Sequence, residues 1–381
     1  MAIEFTKEQE MLKEMIRNFA DREVAPLAYT VDKEEQFPRV TLTKLAGLGL
    51  LGLTVPEEYG GTGAGITEAC IVGEELARVC VSTAASWGAH VDLCMNNINR
   101  NGTAKQKKKY LPELASFQKV GGLAMTEPGA GSDVLGMKLR AERKDNYYLL
   151  NGVKTFITNG PVGDVFIVYA KTEPEKDARG ISAFIVESGF PGFAKGKQFE
   201  KMGWRGSPTG ELIMEDCPVP AENILGRENE GIRVLMGGLN SERLLMAALS
   251  LGLARGAFEV SRQYARERVQ FGRPIASFQM IKERLAWMVT EIEAARLMVY
   301  NYAEMIDQGL IHQITKEAAA TKLFCSEIAM RITTEAVQIF GGYGYVKEFP
   351  VERMMRDAKL FTIGGGTSQI MCHIIAREIL K

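Results

Sequence analysis

The sequence predicts an α+β protein: a helical N-terminal domain over 1–120, a middle β-barrel-like domain over 121–227, and a C-terminal four-helix bundle over 228–381. Three observations predict it. Apolar residues recur at helical spacing up to about Val120. Short β-branched and aromatic runs bounded by Gly, Asp, Asn or Pro follow. Long helical patterns return after about Glu228. At 381 residues the chain has room for two or three domains, because single cores rarely grow beyond roughly 250–300 residues. A composition of 46% hydrophobic and 24% charged residues is that of a packed globular protein and not of a disordered chain.

In the first region, Thr6 with Gln9 three residues later has the pattern of a capping box. Leu12, Met15, Ile16, Phe19 and Ala20 then give one apolar helical face, with Met1–Glu4 running straight into the helix. Val55-Pro56-Glu57-Glu58-Tyr59-Gly60-Gly61 breaks the pattern before a long helix from about Ile66. In the middle region, Asn146–Gly152, Val165–Ala170 and Ile181–Val186 read as strands, with no helix-length periodicity between them. In the last region the helical pattern breaks near Gly272-Arg273-Pro274 and Gly341-Gly342-Tyr343-Gly344.

Lys and Arg number 46 against 47 Asp and Glu, so no global positive field exists to attract nucleic acid or an anionic membrane. The six cysteines form no CxxC and sit mostly beside apolar residues, which reads as reduced core thiols. His90, His312 and His373 lack metal-ligand spacing. No apolar signal core opens the chain, and no uninterrupted apolar run nears the ~18 residues that span a bilayer. The expectation is a cytoplasmic protein without membrane insertion or metal.

The densest chemical signal opens the β region: Leu123-Ala124-Met125-Thr126-Glu127-Pro128-Gly129-Ala130-Gly131-Ser132-Asp133. Its glycines allow close approach of a ligand to the backbone, and its hydroxyls can hydrogen-bond it. Six further motifs follow in order. They are Lys154–Gly160, Met202–Ser207, Arg266–Gly272, Gln338–Gly344, Arg356–Lys359 and Gly366–Gln369. This series, across essentially the whole chain, resembles the acyl-CoA dehydrogenase family. Around Ser86–His90 and Asn101-Gly102 it is closest to the isovaleryl-CoA dehydrogenase branch. The resemblance implies that fold, FAD as cofactor, an acyl-CoA substrate, electron-transfer flavoprotein as redox partner, and a homo-oligomer, with a tetramer favoured. No GxGxxG opens a strand–helix unit, so a Rossmann crevice is not expected.

By matching position, Thr126 and Thr158 resemble the hydroxyls on the flavin's pyrimidine edge and N5, and Phe156 the stacked aromatic. Leu123, Met125 and Gly131 belong to the same loop and strand, and Ser132 resembles a residue touching both FAD and the CoA arm. Arg268, Gln270, Phe271, Gln338, Gly341 and Gly342 resemble the set that reaches FAD from a neighbouring subunit. Thr367 and Gln369 resemble contacts to its pyrophosphate and adenine side. Arg suits a pyrophosphate because its guanidinium binds phosphate oxygens in a fork.

Many family members carry their base in a Tyr-Glu-Gly-Thr segment near the C-terminus, where this chain has Gly364-Gly365-Gly366-Thr367. In the isovaleryl branch the base comes from an earlier helix, and this chain offers Glu242 there, beside Arg243 as a substrate contact; the other reading is that Asn240 or Ser241 caps a helix and Glu242 complements its dipole. The resemblance implies concerted removal of the α-proton by Glu242 and β-hydride transfer to flavin N5. Gly365 keeps the backbone N–H that helps hold the developing enolate oxygen. Gly364 and Gly365 in place of two bulky residues clear space for a branched or alicyclic acyl group. In the isovaleryl branch this helix lines the acyl pocket; Asp92 sits in it, with Gly88 one turn earlier on the same face, and a solvated helix acid is the commoner reading of such an Asp. A second acid there would serve a cyclohex-1-ene-carbonyl-CoA, whose α-carbon carries no proton. A reductase running the reaction backwards on the same scaffold, and a flavin-binding scaffold without a base, are the rival readings.

Overall fold

The computed structural model describes residues 4–381; the expected entry of Met1–Ile3 into the first helix lies outside the described residues. The N-terminal part is helical: α1 (Lys7–Phe19), α2 (Ala28–Lys33), α3 (Arg39–Gly47), α4 (Ile66–Val79), α5 (Val81–Gly88), α6 (Asn97–Asn101) and α7 (Ala104–Ala115). The capping box at Thr6 is formed, with Gln9 N–H donating to Thr6 Oγ1 (3.2 Å) and Thr6 N–H to Gln9 Oε1 (3.0 Å). Between α5 and α6 the helix widens to a π-helix over Ala89–Asn96. Gly88 and Asp92 therefore sit at the entry to a wider turn than the ordinary helical spacing assumes.

The middle part contributes β1 (Gly121–Ala124), β2 (Arg140–Arg143), β3 (Tyr147–Thr158), β4 (Val165–Lys171), β5 (Ile181–Glu187), β6 (Phe193–Gln198), β7 (Thr209–Pro220) and β8 (Ile224–Leu225). They form one eight-stranded sheet in the order β6-β7-β3-β2-β4-β5-β8, with β1 parallel to β4. The three strands expected from the sequence are β3, β4 and β5. β4 and β5 were legible because both faces are buried, giving unbroken Val/Ile/Phe runs. The more exposed β6 and the Gly/Pro-containing ends of β7 carry no such signal.

The C-terminal helices are α8 (Gly231–Glu267), α9 (Gln279–Asp307), α10 (Thr315–Phe340), α11 (Pro350–Phe361) and α12 (Ser368–Ile379). By length and composition α8 could cross a membrane, but 72% of its most apolar stretch is buried inside the protein, so it is a core helix. Its backbone approaches α4 closely. A Cβ at Gly252 would overlap the Glu74 carbonyl, and one at Gly256 the Arg78 carbonyl. A buried ionic cluster fixes the same contact: Arg255 pairs with Glu74 and Glu75, and Tyr300 OH donates to Glu74 (2.5 Å).

The segment carrying Asp92 is pinned to the sheet by polar bonds. His90 Nε2 bonds the Leu114 carbonyl (3.0 Å) while its Nδ1 accepts from Gly121 N–H (2.8 Å). Burial holds His90 down at about 4, so it is neutral at ordinary pH and can play both parts. Asn159 Nδ2 donates to the Ser86 and Gly121 carbonyls (3.0 and 3.1 Å). Five of the six cysteines are buried free thiols; Cys372 is exposed.

Candidate active site

Glu242 lies in the interior of α8, eleven residues beyond its start at Gly231, so it does not serve as a helix-cap complement. Its side chain is half-buried, and Asn97 Nδ2 donates to its Oε1 at 3.5 Å. Burial pushes the carboxyl up to about 7, and the nearby Asp92 adds to the rise; Arg100, Asn97 and Arg243 oppose it. Asp92 is only 2% exposed, so it is not a solvated helix acid. Its Oδ1 accepts from Asn96 Nδ2 (3.0 Å), and its Oδ2 is buried without a partner among the described residues. Burial raises this carboxyl too, against the pull of Arg100 and Asn96. The two carboxyls interact and therefore titrate as a pair.

Helix α8 also meets the glycine segment. Gly365 has φ +64°, and a Cβ there would lie 3.5 Å from Met246 Cγ, one helical turn beyond Glu242. The chain thus places the position of the missing carboxylate opposite the helix that carries the present one. No acceptor in the chain engages the Gly365 N–H among the described residues. Lys322, fully buried on α10, holds this segment by donating to the carbonyls of Phe361 (2.8 Å) and Gly366 (2.6 Å). Gly364 faces Leu360 of the preceding helix. Arg243 is buried and donates to Asn240 Oδ1 (3.0 Å). Gly88 faces Leu245 of α8 at ordinary contact distance, 3.5 Å from a built Cβ, so the space beside it already borders an α8 side chain.

The residues expected around a flavin ring come together at the β1–β3 edge. Glu127 and Ala130 exchange both backbone bonds (3.1 Å), closing a tight turn over Pro128-Gly129. Lys154 Nζ ties this loop to β3, donating to Glu127 Oε1 (2.8 Å) and the Met125 carbonyl (3.0 Å). Thr155 N–H donates to the Thr126 carbonyl (2.9 Å), which places Thr126 beside Phe156. Leu123, Met125, Thr126 and Thr158 are half-buried there, while Gly131 and Ser132 are exposed on the loop. Phe156 falls where the β3–β7 register shifts, at φ +57°, with its ring 64% exposed and stacked on Phe199 (centroids 4.9 Å apart). A large side chain in the left-handed region is an outlier, and a bulge is a common way to aim a side chain at a ligand. An open aromatic face next to two hydroxyls fits a planar heteroaromatic ring.

A second group gathers in the C-terminal part. Arg268, Gln270, Gly341 and Gly342 line a pocket of about 490 Å³ with Tyr264, Phe340 and Tyr343. Arg268 lies over the Tyr343 ring (5.2 Å), and a Cβ on Gly341 or Gly342 would meet nothing within 4 Å. Phe271 is 93% exposed, and Gln338 is exposed as well. No hydrogen bond or ion pair joins this group to the β1–β3 edge among the described residues. Thr367 caps α12, its Oγ1 accepting from Ile370 N–H (3.2 Å), with Gln369 exposed in the first turn. A helix N-terminus next to hydroxyl groups, and a guanidinium over open glycines, both suit phosphate oxygens.

Sequence reading missed Arg100, Tyr169 and Gly238, all of which crowd Glu242. Tyr169 of β4 is fully buried with an unpartnered hydroxyl; burial and then Glu242 push its phenol up. Only Arg100 had a legible signal: a cation four residues after Asn96 on a mostly buried helix.

An exposed aromatic face, groups that suit phosphate oxygens and two interacting carboxyls are features of a cofactor-dependent oxidoreductase. The chain belongs to the acyl-CoA dehydrogenase family: its N-terminal domain matches over residues 6–118, its middle domain over 122–217 and its C-terminal domain over 229–380. FAD is the cofactor of this family. The chain is 46% identical to mitochondrial isovaleryl-CoA dehydrogenase of Oryza sativa subsp. japonica, over 99% of this chain and 92% of that protein. It is 44% identical to the short-chain-specific acyl-CoA dehydrogenase of Clostridium acetobutylicum, over the full length of both. A solved chain from work on the electron transferring flavoprotein of Acidaminococcus fermentans superposes with a TM-score of 0.97, at 42% identity and full coverage of both chains.

Proposed function

We propose that this enzyme dehydrogenates a short branched or alicyclic acyl-CoA, with Glu242 as the base. The observation that carries the reading is the half-buried Glu242 on α8, one turn before the Met246 that meets Gly365, where many family members carry their carboxylate. When bound, FAD supplies the two-electron acceptor. Thr126, Thr158 and Phe156 would hold its ring, Ser132 would reach towards FAD and the CoA arm, and Thr367, Gln369 and the Arg268 set would take its phosphates and adenine side. The separation of the Arg268, Gln270, Phe271, Gln338, Gly341 and Gly342 group from the ring-binding edge supports its service to a neighbouring subunit. A homo-oligomer, with a tetramer favoured, follows. Electron-transfer flavoprotein as partner and a cytoplasmic location complete the proposal.

Glu242 takes the α-proton in its ionised form. A carboxyl lifted to about 7 is a stronger base than an exposed glutamate and is about half ionised near neutral pH. The Gly365 N–H is available to the thioester oxygen as negative charge develops on it. Gly364 and Gly365 leave the volume at Cα and Cβ open. Restoring a side chain with Gly365→Glu puts a non-glycine residue at φ +64°, at a cost of about 1–2 kcal/mol. It should narrow the pocket, so the ratio of straight-chain to branched-chain kcat/KM rises. An unchanged ratio would remove the glycine account of specificity.

The buried, unpartnered Oδ2 of Asp92 favours a second reading, in which this acid takes the γ-proton of a cyclohex-1-ene-carbonyl thioester. Such a proton is acidified through the conjugated double bond, and Glu242 near Cα is poorly placed for it. The test is Asp92→Asn, assayed on isovaleryl-CoA, cyclohexane-carbonyl-CoA and cyclohex-1-ene-carbonyl-CoA. The expected result is a loss of at least ~10²-fold on the 1-ene ring alone. Equal activity of the variant and wild type on all three substrates would eliminate a catalytic Asp92.

A further inference from the structure

The polar atoms around Glu242 are unusually short of partners. Asp92 Oδ2, Asn97 Oδ1, Arg100 Nε, Arg100 Nη2, Tyr169 OH and Arg243 Nε are all buried with no hydrogen-bond partner among the described residues. Buried polar groups are nearly always satisfied, so such a cluster marks a place built for charge and not for packing. Its cation is Arg100 of α6. The Arg100 Nη1 donates to Ser241 Oγ (2.9 Å), and Ser241 in turn donates to the Gly238 carbonyl (2.8 Å). Gly238 is what admits the guanidinium. A Cβ there would overlap Arg100 Nη2, and the same point lies 3.0 Å from Glu242 Oε1. Arginine and glutamate thus converge on one spot that the missing Cβ leaves free.

We propose that Arg100 is a positioning residue, the shared counter-cation that keeps one carboxylate of the Asp92–Glu242 pair ionised in the closed site. This deepens the reading of Glu242 and Asp92 as acid–base groups and rests on it. Three titratable groups face the guanidinium, Asp92 on the π-helical segment, Glu242 on α8 and Tyr169 on β4, while Arg243 of α8 reaches Glu242. Burial acts against ionisation of both carboxyls, and Arg100 is the leading cation opposing it at each. Arg243 ranks behind it at Glu242, and its guanidinium is already engaged with Asn240. Arginine suits the place because it stays charged where a buried lysine would tend to lose its proton.

Two readouts on the FAD-loaded enzyme test this. One is the pH profile of kcat/KM with isovaleryl-CoA. The other is infrared titration of the buried carboxyl bands without substrate, assigned with Asp92→Asn and Glu242→Gln. Removing the cation should raise both carboxyls. Arg100→Met is therefore expected to move the acidic limb and the infrared titration upward by about one pH unit or more. Arg100→Lys should give a shift between those of wild type and Arg100→Met, because a buried ammonium holds its charge less firmly than a guanidinium. Gly238→Ala, which displaces the guanidinium without removing its charge, should give a smaller shift in the same direction. A uniform loss of kcat/KM in Arg100→Met with the infrared titration unmoved would overturn the proposal, since a structural role predicts that outcome. If Arg100→Met does not fold, Gly238→Ala decides, and no shift in either readout overturns the proposal. Should wild type turn over no acyl-CoA, the proposed function fails while the infrared titration still tests the counter-cation.

Discussion

Glu242→Gln should lower turnover of branched acyl-CoA at least ~10²-fold, at the lower end of a general-base contribution, while FAD and ligand still bind. Glutamine keeps the size and the hydrogen bond from Asn97 but cannot take a proton. The same variant should be more stable than wild type at alkaline pH. The folded-state carboxyl titrates at about 7, above its ordinary 4.5, so the folded protein binds the proton more tightly than the unfolded chain. Stability from that proton is fully present below about 4.5 and is lost as pH rises through about 7. Gln, which never ionises, escapes the loss. Thermal melts of the holoenzyme should show a higher Tm for Glu242→Gln above pH ~7 and a difference that closes towards pH ~4.5. Near-normal turnover would move the base to another group, with Asp92 the first to examine.

Lys154→Met should destabilise the folded protein by about 3–5 kcal/mol, the usual effect of stripping one partner from a buried ion pair. Lys154 is fully buried and Glu127 is 7% exposed. Burial pushes the Glu127 carboxyl up, but Lys154 and the N–H groups of Lys138 and Leu139 outweigh it and hold it below its ordinary range. Burial also lowers Lys154 to about 8, so the pair sits near the limit at which its lysine stays charged. With the ammonium gone, Glu127 is a buried anion held only by two backbone donors. The turn carrying Thr126 then loses its tie to β3 and Phe156, and weaker FAD retention should accompany the fall in stability. Lys154→Met/Glu127→Gln should recover part of the loss in chemical denaturation. A single variant as stable as wild type would show that the pair does not hold the loop.

Phe156 shows how far a sequence carries such an argument. Its position in the motif Lys154–Gly160 resembles that of the family's stacked aromatic, the basis for proposing that it faces the ring. Nothing in the sequence tells that it would sit at φ +57° in a register shift, because that conformation is imposed by pairing with β7 some fifty residues away. The strands β4 and β5 were legible because burial on both faces leaves a local mark, a run of apolar residues. β6 has mostly exposed positions and leaves none.

The acid site divides in the same way. The helix–sheet–helix order, the family, the glycine pair where a carboxylate is usual, and Glu242 and Asp92 as the candidate acids are all legible in the sequence. Residue type and order along the chain carry all of these. The fold determines that Asp92 is buried rather than solvated, and that Glu242 lies mid-helix, one turn before the Met246 that meets Gly365. It also brought Arg100, Tyr169 and Gly238 to the same carboxylates from α6, β4 and α8. The reason is physical. A charge is shifted by what lies within a few ångströms of it, and in this protein those neighbours are up to 150 residues away along the chain.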